Sequence, residues 1–526
     1  MINLLAIKLF VNKYYDFVFL GALFLIVLLI FILRRLMVQS KFLLSGLNVV
    51  KTKKGELLIL FVILIVGFSV RLYKIDNPIA DWHSFRQADT ASVSRIFTKD
   101  GIDLFYPKYH DISTTQSGIF NPNGYRFVEF PIYNVVHATA YNMFSGISLE
   151  VWGRLLSIFA AVITAYIVYL IGKRFISGVG GLLSAFFYLF IPYNIYFTRV
   201  ILPEPAATML ATWALWLFIR YIDKKKSYYL VLVAVVFSMA ILIKPFVIFY
   251  AVPMLLLAIA KWGIKGLFAR RELIIAGIIA VIPFLLWRSW IGKYPEGIPF
   301  WKWVFNGDGI RFRPAFWYWI FGERLGKLIL GVWGIIPFVV GLISMKKKGS
   351  FIIYFGLGML FYVGVVATAN VKHDYYQTLI IPFVALAVAQ GTLAIWNNSG
   401  FNKIMARVFV FVSIVLALTI GAFQVKEFYK INRPEIIIAG EAVGRLTPSD
   451  SLIIAPYNGD TAFLYQTKRR GWPVVDRPIE QLVEKGAAYF VSVDLNHPQT
   501  LSFQEDYEVV EKTNEYIIIN LTIQTN

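Results

Sequence analysis

The sequence contains no cysteine and little charge for its size. Of 526 residues, 16% are charged and 58% are hydrophobic, whereas soluble globular domains carry about 25% charged residues. The absence of cysteine excludes disulfides and metal sites built on thiolates. The shortage of charge argues against a chain made only of soluble domains.

The sequence contains many long runs of apolar residues. A membrane-spanning helix needs about 20 apolar residues. The first run is not followed by a small-residue cleavage site, which predicts an anchor and not a removed signal peptide. The runs on either side of Lys244 are short and form two spans or one bent hairpin, so the total is eleven or twelve. The predicted spans are 17–36, 57–73, 151–171, 178–198, 203–219, 229–243, 246–260, 272–291, 327–344, 351–369, 376–396 and 404–424.

The net charge of +20 is concentrated in every second loop between these spans. Short loops rich in Lys and Arg are typical of the cytoplasmic side of a membrane. This explains the charge better than nucleic-acid binding does, and it predicts a multi-pass protein of the plasma membrane. The remaining loops are predicted to face outward: 74–150, the turn at 199–204, the turn at Lys244, 292–326, 370–375 and the tail after 425.

The tail has the pattern of a small α/β domain outside the membrane. Apolar strand patterns alternate there with helical ones. The predicted domains are therefore 1–56, an extra span with a basic linker; 57–425, the main membrane domain; and 426–526, the tail. Strands are predicted at 451–455, 473–476, 488–493, 507–510 and 516–523, and helices at 460–470 and 479–486.

The long outward loop contains two polar segments. The first, Asp81-Trp-His-Ser-Phe-Arg-Gln-Ala-Asp-Thr90, combines two carboxylates, a histidine and an arginine. From Ala88 to Phe97, which extends beyond this segment, the pattern suits a short interfacial helix that could simply have a solvated polar face. The second segment places Glu129 between Val128 and Phe130, where it is poorly placed for solvation and could pair with an arginine of the loop. Loops as long as 74–150 are uncommon unless they are functional.

Other outward turns carry ionisable groups at the ends of spans. Arg199 and Glu204 flank one turn, and ionisable groups at membrane depth are costly and often functional. A mutual ion pair that closes the turn is the alternative. Lys244 precedes Pro245 and could be a snorkelling lysine. The string Lys372-His-Asp-Tyr-Tyr376 could be an interfacial aromatic belt. Loop 292–326 mixes Arg311 and other cations with four tryptophans, which suits an anionic headgroup or a surface lid.

Together these groups provide the chemistry for sugar transfer. Carboxylates activate a hydroxyl or bind a divalent cation. Cations hold a phosphate leaving group and offset its developing charge. A lipid-phosphate donor would bring that phosphate to the membrane surface.

Several of these strings, in this order, resemble membrane glycosyltransferases of the GT-C fold. The nearest groups are the dolichyl-phosphate-mannose protein mannosyltransferase-like family and the lipid A aminoarabinose transferase family. The resemblance covers roughly residues 57–425 and implies a polytopic α-helical fold with a small extracytoplasmic α/β domain. The strings that carry it are 83–91, Leu104-Phe-Tyr-Pro107, Glu129-Phe-Pro-Ile-Tyr133, Gly153-Arg-Leu-Leu-Ser157, Tyr196-Phe-Thr-Arg199 with Pro203-Glu204, Lys244-Pro245 and His373-Asp-Tyr-Tyr376.

The resemblance also implies roles for residues. Asp81 matches the acidic residue of the first loop, which makes it the expected general base, or a ligand of Mg²⁺ or Mn²⁺. Trp82 stands where many relatives have a second carboxylate. Glu204 matches the second acidic position, and Glu129 is the third catalytic candidate. The expected substrate-binding residues are His83, Arg86, Gln87, Tyr133, Arg199, Lys244, Arg311, Lys372, His373, Tyr375 and Tyr376.

The expected reaction is inverting transfer of a sugar from a polyprenyl-phosphate donor to a hydroxyl of a protein, lipid or glycan on the outer side. Membrane lipids are the other expected partners, and nucleic acid is not. A lipid or sugar transporter is the main alternative. Transporters usually show inverted repeats and broken helices near the middle of the membrane, and no clear repeat is found here. A non-catalytic assembly or sensor protein is the second alternative, and such a protein would tolerate the loss of Asp81.

Overall fold

Apolar helices form most of the described chain. The computed structural model describes residues 52–344, 350–398, 400 and 402–525. The predicted first span, 17–36, lies outside these residues, as do the basic residues 346–348. The α-helices, numbered α1 to α21 in chain order, are Lys53–Ser69, Ser84–Asp100, Ile132–Met143, Leu149–Phe175, Gly178–Phe190, Pro192–Phe197, Glu204–Lys224, Ser227–Ile243, Ala251–Phe268, Arg271–Ile291, Trp303–Asn306, Pro314–Tyr318, Ile335–Ile343, Ser350–Val365, Ala367–Lys372, Ile381–Trp396, Lys403–Val425, Glu435–Leu446, Ala462–Gln466, Ile479–Glu484 and Pro498–Asp506.

Seven helical stretches of the described residues are long and apolar enough to cross a membrane, and the predicted multi-span architecture is confirmed. Three shorter apolar helices, α5, α8 and α14, coincide with further predicted spans. Short 3-10 turns extend several of these helices, at Val70–Leu72, Pro245–Tyr250, Asp374–Ile380 and Lys426–Tyr429. The seven long stretches are Lys53–Leu72, Leu149–Phe175, Glu204–Lys224, Pro245–Phe268, Arg271–Ile291, Asp374–Trp396 and Lys403–Tyr429.

Three predicted spans are not continuous helices, and one of them, 351–369, is divided at Val366 between α14 and α15. The run 178–198 is divided between α5 and α6, because Pro192 has no N–H to continue a helix and begins the next one. The run 327–344 contains the end of a π-helix, Trp319–Ile329, and then α13. Between them Gly331 has a φ of +52°, and an added Cβ would lie 2.0 Å from the carbonyl oxygen of Ala417. Only glycine permits that close approach of two backbones.

The C-terminal part is the predicted α/β domain. Its strands are β1 Leu452–Ile454, β2 Gly471–Trp472, β3 Ala487–Ser492, β4 Tyr507–Lys512 and β5 Ile517–Gln524. They form one sheet in the order β2-β1-β3-β5-β4, in which β1 is parallel to β2 and β3, and β5 is antiparallel to β3 and β4. The second strand lies earlier than the predicted 473–476, because the β1 register pairs Ile454 with Trp472.

The outer loop and the C-terminal domain share a hydrophobic core. The loop helix α2, predicted as a shorter interfacial helix, is buried along nearly its whole length and packs against α3 and α19. It therefore has no extended solvated face. The buried residues that the two parts contribute to this core include Ile79, Ala88, Ala91 and Tyr133 from the loop and Ile436, Phe463, Leu464 and Val491 from the domain.

Candidate active site

A cavity of about 780 Å³ lies where the outer loop meets α8, the 3-10 turn Pro245–Tyr250, α10 and the segment 298–305. Its size is in the range of small-molecule sites. One end of the cavity is polar and the rest is apolar. The polar residues at its wall are Arg86, Asp89, Thr115, Gln116, Arg126, Glu129, Lys244, Arg288, His373, Tyr375 and Tyr376. The apolar wall includes Ile241, Phe246, Ile248, Phe249, Phe284, Leu285, Trp301 and Phe305.

Glu129 is the carboxylate at the centre of the polar end. Its Oε1 accepts a hydrogen bond from the guanidinium of Arg86 and lies 3.6 Å from Nζ of Lys244. Its side chain retains 13% of its exposure, and it lines the cavity. The next residue, Phe130, donates its N–H to the carbonyl of Leu242, which ties this strand-like segment to the end of α8. Glu129 is thus held by two cations and remains open to a substrate.

Lys244 connects Glu129 to Glu204. It caps α8, which cannot continue because Pro245 follows. Its Nζ lies 2.5 Å from Oε1 of Glu204 and 4.9 Å from the ring centre of Tyr376. Glu204, in the first turn of α7, is fully buried and does not line the cavity. Glu204 therefore orients Lys244 from behind the cavity wall.

Asp81 does not lie at the cavity. Its Oδ1 accepts from Nε2 of Gln87 at 2.6 Å, and its Oδ2 accepts from the guanidinium of Arg199 at 3.3 Å. The side chains of Asp81 and Arg199 have no exposed surface. The expected role of Asp81 as general base stays a prediction, and this geometry does not favour it, because both oxygens accept hydrogen bonds and the residue does not line the cavity.

The same contacts do not favour the metal expected at Asp81, which stays a prediction. A guanidinium already neutralises the carboxylate, and Mg²⁺ and Mn²⁺ need several free oxygen ligands. Across the described part of the chain, no group of three or more His, Asp or Glu side chains is arranged to hold a metal ion.

Arg199 is a buried structural cation in this geometry. Besides Asp81, its guanidinium donates to the carbonyl of Lys74 and lies 4.9 Å from the ring centre of Tyr429. The expected contact of Arg199 with a donor phosphate does not fit, because the residue is fully buried away from the cavity. The alternative ion pair with Glu204 is not formed either, because each of the two pairs with a different partner.

Two histidines lie side by side near the polar end. Nε2 of His83 is 2.8 Å from Oδ1 of Asp374, which holds His83 behind the wall. His373 lines the cavity with its ring stacked on Tyr375, at 5.5 Å between ring centres. Burial, with a contribution from His83, lowers the pKa of His373 to about 4. His373 is therefore neutral at neutral pH and can offer a phosphate one N–H but no charge.

Of the other expected substrate-binding residues, Arg86, Tyr375 and Tyr376 line the cavity. Gln87 is fully buried and orients Asp81. Tyr133 lines a small pocket beside Glu129 and donates to the carbonyl of Gly153 at 2.8 Å. Arg311 and Lys372 do not line the cavity. Lys372 is exposed, and its Nζ lies 5.6 Å from the ring centre of Trp303.

Two cavity cations were missed by the sequence prediction. Arg126 donates to Oδ2 of Asp89 at 2.6 Å. Arg288 is half-buried in α10, 6.0 Å from the ring centre of Trp301, and forms no salt bridge with any described residue. The signal for Arg288 was present, because an arginine inside an apolar span is itself an indication of function.

The charges on the cavity wall leave a positive excess. Arg86, Lys244 and Arg126 are compensated by Glu129, Glu204 and Asp89. Arg288, beside Trp301, is the remaining cation on the wall. The cavity wall as a whole therefore favours one negative charge.

Comparison with known proteins identifies this architecture. A family model described as dolichyl-phosphate-mannose-protein mannosyltransferase matches residues 132–290, which include Glu204, Lys244 and Arg288. No curated protein matches the chain by sequence. The GT-C glycosyltransferase resemblance is confirmed for this matched part of the sequence and for the fold.

Solved structures agree with the family match. ArnT from Cupriavidus metallidurans, bound to undecaprenyl phosphate, has a TM-score of 0.61 at 12% identity, with 89% of this chain and 98% of that chain covered. The oligosaccharyltransferase AglB from Archaeoglobus fulgidus, in complex with an inhibitory peptide and a dolichol-phosphate, has a TM-score of 0.53 at 10% identity, with 89% and 74% covered. The predicted GT-C fold is thereby confirmed.

Proposed function

We propose that the protein transfers a sugar from a polyprenyl-phosphate donor, such as dolichyl or undecaprenyl phosphate, to a hydroxyl of a protein, lipid or glycan acceptor, with inversion. The observation that carries this proposal is the cavity itself. Its apolar groove suits a hydrocarbon chain, and its polar end combines a carboxylate with cations. The basic loops of the other face support a reaction on the outer side of the membrane.

The groove is suited to a donor that enters sideways from the lipid. Leu285 and Trp301 line it and keep 56% and 48% of their exposure. Most of the apolar helix Arg271–Ile291 is exposed on the surface of the bundle, which suits contact with lipid. The undecaprenyl phosphate bound to ArnT and the dolichol-phosphate bound to AglB are ligands of this amphiphilic class.

The polar end would hold the donor phosphate. Lys244 and Arg86 contact Glu129, and Arg288 is a third cation on the cavity wall. A phosphodiester carries one negative charge, which matches the excess positive charge of the wall. His373, Tyr375 and Tyr376 supply neutral hydrogen-bond donors and aromatic surface beside it.

Glu129 is the carboxylate that we assign as general base. It takes the proton of the acceptor hydroxyl as the hydroxyl oxygen attacks the anomeric carbon from the face opposite the phosphate. The bond between the anomeric carbon and the phosphate oxygen breaks, and the phosphate leaves with the electron pair. One displacement inverts the anomeric centre. Arg86 and Lys244 offset the charge that develops on the leaving phosphate.

In this scheme Asp81 does not contact the substrate and acts through neighbouring residues. Through Gln87 it fixes the first turns of α2, the helix that carries Arg86 to the cavity. Through Arg199 it fixes the turn that leads into α7 and Glu204. We therefore assign Asp81 to positioning.

The proposal is tested with purified full-length protein in lipid nanodiscs. Polyprenyl-phosphate mannose and other radiolabelled polyprenyl-phosphate sugars are supplied with membrane and protein extracts of a deletion strain as acceptors. We expect loss of the labelled donor and a new labelled product. Movement of labelled lipid across a vesicle membrane with no new glycosidic bond would contradict the proposal and favour a transporter.

A further inference from the structure

The C-terminal α/β domain contacts the cavity wall directly. We infer that this domain is a working part of the active site, in which Thr461 and Asp476 position the outer wall of the cavity. The effect of these residues on catalysis rests on the proposed function. The contacts themselves do not depend on which donor the cavity binds. Three separate sets of contacts carry it.

The first contact runs from the domain to a cavity cation. Thr461 stands just before α19, and its hydroxyl donates to Oδ1 of Asp89 at 2.7 Å. The other oxygen of that carboxylate accepts from Arg126 at 2.6 Å, and Arg126 lines the cavity. Asp89 and Thr461 are both buried, with 2% and 5% exposure. A hydroxyl of the domain thus fixes the orientation of a guanidinium on the wall.

The second contact holds the segment 113–118. One oxygen of Asp476, Oδ2, accepts from the backbone N–H of Thr114 at 2.9 Å and from its hydroxyl at 2.6 Å. The next two residues, Thr115 and Gln116, line the cavity. Gln116 accepts from Arg126 at 3.3 Å, so both contacts with the domain meet at the same guanidinium.

The third contact is a path of backbone hydrogen bonds. At the edge of the sheet, Gly471 donates to His110 and accepts from Ile112, at 3.0 and 2.9 Å. The segment 107–109 in turn pairs with 124–126, through Tyr109 to Gly124 and Arg126 to Pro107, both at 2.8 Å. Three residues later on the same segment stands Glu129. The sheet of the domain therefore continues into the backbone that carries Arg126 and Glu129.

These contacts define which end of the cavity the domain controls. Thr115, Gln116 and Arg126 lie at the polar end, whereas much of the apolar groove is formed by α8, the 3-10 turn Pro245–Tyr250 and α10. A loosened domain would leave that part of the groove intact and disorder the wall beside Glu129. Thr461 and Asp476 are positioning residues in this arrangement, because they act through Asp89, Arg126 and Thr114.

The test measures local order and lipid binding separately. Hydrogen–deuterium exchange of the full-length protein in detergent follows the peptides that cover 113–118 and 124–129. Both sets of hydrogen bonds end on a carboxylate, and a hydrogen bond to a charged group contributes about 1.5–3 kcal/mol, so we expect Thr461→Val and Asp476→Ala to speed exchange in these peptides by about ten-fold or more. Thr461→Ser and Asp476→Asn keep an oxygen in place and should restore most of the protection.

Thr522→Val is the matched control for the Thr461 change. Thr522 is exposed on β5, and its hydroxyl donates only to Asn520 of the same strand, at 2.7 Å. It should leave both cavity peptides unchanged. Equal exchange in wild type, Thr461→Val and Asp476→Ala would overturn the inference.

Binding of undecaprenyl phosphate, followed by tryptophan fluorescence, separates this inference from the proposed function. We expect Thr461→Val to reduce the turnover number of sugar transfer while the affinity for undecaprenyl phosphate changes less than two-fold, and Thr461→Ser to behave as wild type. If wild type fails to bind undecaprenyl phosphate but the exchange result holds, the proposed donor is wrong and the positioning role stands. If binding holds and exchange is unchanged, the positioning role is wrong.

Discussion

Nζ of Lys244 lies 2.5 Å from Oε1 of Glu204, and the carboxylate of this ion pair is completely buried. The pair joins the end of α8 to the beginning of α7, just behind the cavity wall. Because Lys244 also faces Glu129 at 3.6 Å, the buried carboxylate determines where the cation points. The relationship couples the stability of the membrane domain to the electrostatics of the site.

Removal of one partner of this pair should be costly. Glu204→Gln leaves Lys244 buried without its closest counter-charge, and breaking a buried pair typically costs about 3–5 kcal/mol. We expect a clear fall in the thermal unfolding midpoint for Glu204→Gln and for Lys244→Met. The double variant should recover most of that stability, but not sugar transfer, because Lys244 is absent. A double variant as unstable as the sum of the singles would show that the pair is not coupled.

Arg288 should bind the donor phosphate. A hydrogen bond to a charged group is worth about 1.5–3 kcal/mol, so Arg288→Gln should weaken the binding of undecaprenyl phosphate by about ten-fold or more. The measurement is quenching of tryptophan fluorescence, helped by Trp301 next to Arg288. Lys293→Gln is the control, because it removes the same charge from an exposed residue outside the cavity. Equal affinities of the two variants would remove Arg288 from the phosphate site.

The interface between the C-terminal domain and α2 should depend on pH. Asp460 accepts from the N–H of Ala462 at 2.7 Å and from the hydroxyl of Ser84 at 3.4 Å. Burial, with the nearby charge of Asp89, raises its pKa from the ordinary 3.8 to about 6. The folded protein holds this proton more tightly than the unfolded chain, so the stabilisation is present below about pH 4 and is lost as the pH rises through 6.

Asp460→Asn isolates this effect from other titrating groups, among them Asp111, whose pKa burial also raises to about 6. The unfolding midpoint of the variant minus that of wild type should increase between pH 4.5 and pH 7.5, because only wild type acquires a buried charge. A difference that stays constant over this range would contradict the assignment.

The outward orientation is still a prediction, and the natural absence of cysteine makes it easy to test. Ser502→Cys places a single thiol on an exposed residue of α21, and Lys226→Cys places one in a loop predicted to be cytoplasmic. A membrane-impermeant maleimide should label the first in intact cells and the second only after the cells are opened. The reverse pattern would invert the topology and move the site to the cytoplasmic side.

Much of the fold could be predicted from the sequence, because bilayer-length apolar runs and strand alternation are local signals. The predictions failed at Pro192, at Gly331 and at Val366, where a local break divides a run whose hydropathy is continuous. The C-terminal domain was also predicted, but not its docking on α2, since shared cores are formed by residues far apart in the chain.

The site could be predicted only in part, for a related reason. Glu129, Lys244, Tyr375 and Tyr376 were identified as candidates and do line the cavity. Asp81 and Arg199 are also a carboxylate and a cation in polar motifs, but they form an ion pair with each other away from the cavity. Which cation pairs with which carboxylate is decided by how α2, α7 and α8 pack, and no local pattern contains that information.

The central claim is that Glu129, and not Asp81, removes the proton from the acceptor hydroxyl. The direct measurement is the single-turnover rate of sugar transfer from a bound polyprenyl-phosphate sugar, compared between Glu129→Gln and Asp81→Asn, each scaled to folded protein. Loss of a general base typically costs about a hundred- to ten-thousand-fold in rate. The account predicts such a loss for Glu129→Gln with undecaprenyl phosphate still bound, and a far smaller loss with reduced thermal stability for Asp81→Asn. A stable Asp81→Asn protein that binds the lipid but has lost transfer, beside an active Glu129→Gln protein, would contradict it.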